Sequence, residues 1–256
     1  MLFRSIKIVE FALNPYSFAS SRVEKITSAT TSFIDGMKDF TLNPNPSERI
    51  TGYTNLGITA TCIIMLFASF GFRSNGFKCW VQKTLMRLFY LVMAVGAGLG
   101  FIVHGLDLSG DIKEGLWYAL YVILIIALAI RFLETFWECG FITFMIAGPC
   151  IMLGAYIDII LCWHYDKFIF IGLFVILFGS YMGLSHFVHV CTRGSGYIWY
   201  VLSDLVGLAA VLVQATQLKV GDWDKNGFFH VGVIAYIILS TLGFKSSLKS
   251  RKYKTD

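Results

Sequence analysis

Seven apolar runs, each about as long as a helix needs to be to cross a bilayer core of ~30 Å, constrain this chain more than any other feature. They are Thr51–Phe72, Leu88–Leu106, Gly115–Leu133, Phe141–Trp163, Phe168–Leu184, Tyr197–Leu218 and Gly227–Phe244. Membrane β-strands would alternate apolar and polar residues over about ten positions, and these runs do not alternate. Composition agrees: 56% of the 256 residues are apolar and 14% are charged, against about 25% charged in a soluble domain. The expected fold is an all-α integral membrane protein, a seven-transmembrane-helix bundle with an amphipathic N-terminal arm. The expected units are an arm at 1–49, a bundle at 50–244 and a basic tail at 245–256.

The connections are short, so sequential helices must run antiparallel. The stretches HYDK (164–167) and CTRGSG (191–196) leave room for little more than a turn. Lys and Arg then orient the bundle. Arg73, Lys78, Lys83 and Arg87, together with Arg131 and Arg193, fall on the side that carries the tail with Lys245, Lys249, Arg251, Lys252 and Lys254. On the other side Lys113, Lys167, Lys219 and Lys225 are diluted by Asp107, Asp111, Glu114, Asp166, Asp222 and Asp224. The expected C-terminus therefore lies inside, in cytosol or mitochondrial matrix. The membrane itself is left open among mitochondrial inner membrane, endomembrane and plasma membrane. The net charge of +5 forms no basic stripe with stacking aromatics, which argues against nucleic acid as a partner. Six cysteines without a CxxC pair argue against a disulfide framework and against a structural zinc site.

The arm is too polar to span. It breaks at Asn14-Pro15, and Val23, Ile26, Thr30, Phe33, Met37 and Phe40 then recur at three and four residues. That spacing predicts one narrow apolar stripe, suited to the membrane surface or to a protein partner. The first apolar stretch is too short for a secretory signal and has no small-residue cleavage site. Arg4, Lys7, Arg22 and Lys25 give the arm some transit-peptide character, opposed by Glu10 and Glu24.

Ionisable groups inside lipid spans are costly and face the bundle interior. A rise of about 1.5 Å per residue sorts them by depth. Near the outer side lie Asn55, His104, Asp158, Gln214, Gln217 and His230, drawn from five helices. If they converge, His230 has Asp158, His104 and Gln214 as partners. Two histidines and one aspartate (His104, His230 and Asp158) could also supply three metal ligands, with zinc as the candidate. Near the inner side, His186 and His189 share a helix face, and Asp204 folds back to within about a turn of His186. A His186–Asp204 pair is expected there, holding a hairpin together or carrying protons. Gly96 and Gly100 are spaced for close helix packing, and Pro149 is expected to kink the fourth helix. HExxH, GxSxG and glycine-rich phosphate motifs are missing from the sequence.

The stretch WDKNGFFHV (223–231), the start TGYTNL (51–56) and the pair His104-Gly105 resemble an uncharacterised seven-helix family of bacterial and eukaryotic membrane proteins. The resemblance spans residues 50–244 in layout. More distantly, the chain is similar to the superfamily of alkaline ceramidases, progestin/adiponectin receptors and haemolysin III proteins. That similarity implies zinc held by His104 and His230. The superfamily's serine position, four residues before the first histidine, is Gly100 here, and Asn226 stands four residues before His230. Three functions compete. The first is a non-catalytic subunit or scaffold of a membrane complex, with lipids and protein as partners, and it is the leading expectation. The second is a membrane-embedded zinc hydrolase of lipid amides or esters. The third is a transporter or receptor that uses the outer polar pocket, with His186 and Asp204 as a proton path.

Overall fold

A computed structural model describes residues 41–72, 76–165 and 169–252. The apolar stripe of the arm lies outside the described residues. The described residues form seven α-helices: α1 (Pro46–Phe70), α2 (Phe77–Gly105), α3 (Gly110–Cys139), α4 (Phe141–Tyr165), α5 (Ile169–Arg193), α6 (Ile198–Gln214) and α7 (Lys225–Lys252). A 3₁₀ turn (Ser195–Tyr197) precedes α6, and a two-stranded antiparallel ribbon, β1 (Lys219–Val220) and β2 (Trp223–Asp224), precedes α7. All seven helices are long and apolar enough to cross a membrane. Large apolar side chains such as Phe67, Ile142 and Leu177 are more than two-thirds exposed. That outward face suits acyl chains, and the chain is a multi-pass membrane protein in contact with lipid.

The helices run past the apolar stretches, and mostly at one end. α2 starts at Phe77 rather than Leu88, α3 continues to Cys139, α5 to Arg193 and α7 to Lys252. All four extensions fall at the end of the bundle where the C-terminus emerges. There they add one to three helical turns that bury polar side chains such as Gln82, Glu134, Glu138, His186 and Ser247 beside apolar ones. Arg131 is accordingly not a loop cation. It sits within α3 and is fully buried. The helix carries it inward because Glu134, one turn on, supplies the opposite charge.

At the opposite end, α1 begins at Pro46, inside the segment expected to belong to the arm. Proline suits the first helical position, and the Asn45 side chain caps the helix by accepting from Ser47 N at 3.1 Å. Just before it the chain straps the end of α2. Asn43 N donates to Gly105 O at 2.9 Å, Asn43 Nδ2 to His104 O at 3.1 Å, and Asp107 N to Thr41 O at 3.0 Å.

Two apolar cores divide the interior. One joins α1, α2 and α7 through Ile58, Met86, Phe89, Tyr90, Ile237 and Phe244. The other joins α3, α4 and α5 through Ile125, Phe132, Ile151, Ala155, Ile171 and Phe174. Gly96 and Gly100 do not form one shared contact. Gly96 faces Ile123 of α3, whereas Gly100 faces the Asn55 side chain of α1. Pro149 lies within α4, which continues past it to Tyr165. The backbones of α1 and α2 approach closely at Gly52, where an added Cβ would stand 2.7 Å from Gly105 Cα. Neither backbone can yield by that much without separating the helices. Gly52→Leu is therefore expected to cost roughly 1–3 kcal/mol or more by overpacking, read as a lower midpoint in detergent unfolding. An unchanged midpoint would contradict this packing.

Candidate functional site

The end where α1 begins carries a ring of polar side chains. His104 closes α2, and its Nδ1 lies 2.7 Å from Glu48 Oε2 in the first turn of α1. Lys113 Nζ of α3 is 3.9 Å from the same oxygen. The Trp117 ring stands edge-on to the imidazole at 4.9 Å. His230 of α7 lies with its ring centroid 6.3 Å from that of His104. The two histidines are neighbours that each bond elsewhere.

His230 Nδ1 is 3.0 Å from Thr54 Oγ1, and Thr54 Oγ1 donates its one proton to Thr51 O at 2.9 Å. The hydroxyl can then only accept from the imidazole. Nδ1 therefore carries the ring proton, and in the neutral ring Nε2 is left as an acceptor. Gln214 of α6 donates through Nε2 to Asn226 Oδ1 at 2.7 Å. Its Oε1 is buried and has no hydrogen-bond partner among the described residues. Asn55 is buried on α1 and donates to Thr51 O at 3.1 Å.

Asp224 pins this ring to α7. It is the N-cap of that helix, accepting from Asn226 N and Gly227 N at 3.0 Å each, and Thr51 Oγ1 reaches it at 3.3 Å. Burial pushes its carboxyl up, but the hydrogen bonds from Gly227, Ser47, Thr51 and Asn226 together outweigh burial and hold it below the usual 3.8. A depressed folded-state pKa stabilises fully above the unfolded value. That contribution disappears as pH falls below about 3.8 and through the lower folded value.

A second polar layer lies at the C-terminal end. His186 Nδ1 of α5 and Asp204 Oδ2 of α6 are 2.6 Å apart, and the Tyr200 ring stacks on His186 at 4.4 Å with an 8° tilt. The Arg131 guanidinium lies 5.1 Å above the centre of the Tyr200 ring. Arg131 is paired with Glu134 and donates to Thr135 at 2.8 Å. Gln82 of α2 donates to both Glu134 (2.6 Å) and Glu138 (3.2 Å). Arg131, Glu134, Glu138, Gln82 and His186 are all fully buried. Sequence reading missed the α2–α3 part of this layer. Its signal was the spacing Arg131, Glu134, Thr135, Glu138, which sets four polar groups on one face of a helix.

One cavity of about 590 Å³ joins the two layers. Asn55, His104, Gln214, Asn226 and His230 line one end of it and Asp204 the other. Between them the wall is mostly apolar, with Met93, Leu124, Phe132, Val175, Leu208 and Val211 among its residues. Every helix except α4 contributes to the lining. Four of the six outer residues singled out from sequence thus share one space: Asn55, His104, Gln214 and His230. Gln217 does not join them, because α6 stops at Gln214 and leaves it exposed in the following turn.

Asp158 also lies apart. It is buried on α4, with Ala155 and Cys162 of the same face packed into the α3–α4–α5 core, and its Oδ2 has no partner among the described residues. Depth placed it in the outer layer, but α4 turns that face toward α3 and α5, away from α1 and α7. Among the described residues no three or more His, Cys, Asp or Glu side chains are arranged to hold a metal ion. His104, His230 and Asp158 do not make a zinc ligand set.

A family model described as a family of unknown function (DUF6962) matches residues 50–249. This covers nearly the same span as the seven-helix resemblance noted above. No curated protein matches the chain, and no solved structure does. The similarity to the ceramidase, progestin/adiponectin receptor and haemolysin III superfamily gains no support from these comparisons.

Two outcomes follow from the buried charges and the cap. Arg131→Met leaves Glu134 buried without its cation and should lower stability by about 3–5 kcal/mol, while a paired Arg131→Met/Glu134→Leu change should recover much of that loss. A double-mutant cycle in detergent unfolding measures both, and additive losses would contradict the pairing. Asp224→Ala should cost about 1 kcal/mol at neutral pH. Its deficit relative to wild type should shrink below pH 3.8. A deficit that stays constant down to acid pH would contradict the role given to the carboxylate.

Proposed function

The chain belongs to this family of unknown function, and we propose that it is a membrane-embedded small-molecule-binding protein, a receptor or carrier that takes an amphiphile into the cavity between its helices. The observation that carries this reading is the cavity itself. Its volume of about 590 Å³ falls within the ~300–1,000 Å³ usual for ligand sites, and it joins apolar walls to a few convergent polar groups. Its lining includes the exposed Leu184 and Phe187 of α5 and Leu205 of α6, so it opens toward the surrounding acyl chains, a route by which an amphiphile can enter. A zinc hydrolase would need a ligand set that these side chains do not form.

The polar groups at the two ends suit a receptor or carrier better than a hydrolase. They offer hydrogen bonds, and among the described residues they include no set of three side chains arranged to hold a metal ion. The basic residues that remain at the C-terminal end, including Lys78, Lys83, Arg87, Arg193 and Lys245, support placing that end in cytosol or matrix even with Arg131 counted as buried.

Gly172 of α5 lines the cavity, and a Cβ built there meets nothing within 4 Å. Gly172→Leu should therefore fill the space without a clash, and the helix gains up to ~1 kcal/mol from losing a glycine. Protein in phosphatidylcholine nanodiscs, titrated with radiolabelled dodecanol, is expected to show one saturable site. Gly172→Leu should weaken that site about tenfold or more, because it occupies the volume the ligand needs. Its unfolding midpoint should match or exceed that of wild type. Undiminished saturable binding in a well-folded Gly172→Leu protein would overturn the reading.

A further inference from the structure

Most polar atoms around the cavity are engaged or shut off from it, and the exceptions point to the class of ligand. At the C-terminal end Asp204 lines the space, but its Oδ2 is held by His186 and its Oδ1 is buried away from open space. The buried donors of that end on Arg131 and Tyr200 belong to side chains that do not line the cavity. Tyr236 does line it, and its hydroxyl interacts with Arg131. Ser180 donates its Oγ proton to Ile176 O. At the other end Gln214 donates to Asn226 and its Oε1 is shut off, while Asn226 donates to Asp224. The Asn55 amide packs on α2, where a Cβ added to Gly100 would stand 2.7 Å from Oδ1.

The imidazoles are the exceptions. His230 lines the cavity, and its Nδ1–H is used on Thr54. Nε2 stands on the opposite edge of the ring. It makes no hydrogen bond among the described residues and, unlike Gln214 Oε1, is not shut off from open space. In the neutral ring it is an acceptor. His104 repeats the arrangement, with Nδ1 facing the Glu48 carboxylate, which only accepts, and Nε2 left over. An acceptor at the end of an apolar space is stabilised by a hydrogen-bond donor.

Charges near the cavity are matched or turned away. Glu48 is held by His104 at 2.7 Å and faces Lys113 at 3.9 Å. Asp224 accepts from Thr51, Asn226 and Gly227. At the far end Arg131 is paired with Glu134. A cationic head would find no free carboxylate oxygen facing the space. An anionic head would meet the His230 lone pair and the Glu48 carboxylate beside His104. The chain of a ligand, by contrast, has ample room. Gln214 and Leu205 are nine residues and about 14 Å of rise apart on α6. Val211 and Leu208 lie between them on the same wall. Leu205 is 58% exposed, and Leu184 and Phe187 of α5 are exposed beside it, so that end opens to acyl chains.

Resting on the reading of the cavity as a ligand site, we infer that its ligand is a neutral long-chain alcohol, a lipid whose hydroxyl donates to His230 Nε2. The chain lies along Val211 and Leu208 and meets the bilayer between α5 and α6 at Leu205. A hydroxyl also accepts, so it suits His104 Nε2 in either protonation state. Cationic and anionic amphiphiles are disfavoured, because no opposite charge awaits their heads.

The test compares radiolabelled dodecanol, dodecyl fluoride, dodecylamine and dodecanoate at neutral pH on the full chain in phosphatidylcholine nanodiscs, with wild type, His230→Phe and Gly172→Leu. Affinities are taken per mole fraction of probe in the lipid, so that partitioning cancels. Fluorine is close to hydroxyl in size and cannot donate. One hydrogen bond to a buried acceptor corresponds to roughly a fivefold difference in affinity. Dodecanol is expected to bind wild type tighter than each other probe by that factor or more. In His230→Phe, which keeps a ring and removes the acceptor, dodecanol should fall to the level of dodecyl fluoride, whose own binding stays unchanged. Equal binding of alcohol and fluoride to wild type overturns this inference and leaves the ligand-binding cavity standing. Tighter binding of the amine or of dodecanoate than of the alcohol does the same, as does a folded His230→Phe protein that keeps the alcohol's advantage. Should His230→Phe fail to fold, the order of the four probes on wild type alone decides. Absence of saturable binding of all four probes to wild type, or full binding of all four to Gly172→Leu, overturns the cavity reading and this inference together.

Discussion

The structure depends on a solvation constraint: a polar side chain that enters a lipid-spanning helix must find its partner inside the protein. His104 has Glu48, His230 has Thr54, His186 has Asp204, and Arg131 has Glu134. Each of these contacts except Arg131–Glu134 ties one helix to another. Together with Gln82 on Glu134 and Glu138, they fix which faces of α1, α2, α3, α5, α6 and α7 turn inward. Apolar packing alone does not set those faces. Acyl chains solvate Leu and Phe about as well as a neighbouring helix does, so the hydrophobic effect gives little rotational preference in a bilayer.

That constraint also explains the cavity. Two layers of paired polar groups hold the ends of six helices together, while the middle of the bundle is lined mostly by apolar side chains of uneven size. α4 packs outside the ring on α3 and α5, where it completes a separate apolar core. The space left between the layers is bounded by groups that the layers hold in place. A site built this way is preformed, so a ligand entering it need not order the helices first.

Much of the frame was legible from residues alone. Run length and spacing gave seven spans, and helical rise put His186 and Asp204 at one height, where they pair. The same reasoning put Asn55, His104, Gln214 and His230 in one layer, and they line one cavity. Depth is legible because the rise per residue is constant. Azimuth is not, because it depends on which neighbours a helix meets, and Asp158 shows the difference. It has a plausible depth for the outer cluster and faces another interface. Gln217 fails for a different reason, since α6 ends one turn before it.

The helix extensions were illegible to a scan for apolar runs, which stops where charges begin. In RFLETFWE (131–138) the charges pair within the helix and with Gln82, so the helix continues and buries them. Glu48 was assigned to a polar arm because nothing local marks it as the partner of a residue on another helix. The most direct measurement of the central claim is photolabelling in nanodiscs with a diazirine placed midway along a long-chain alcohol, followed by mapping of the adducts by mass spectrometry. The account predicts competable adducts on the inward stripe of α6 and its facing residues, such as Leu208, Val211 and Phe132. Adducts confined to lipid-facing positions such as Leu177 and Leu212, and insensitive to excess unlabelled dodecanol, would contradict it.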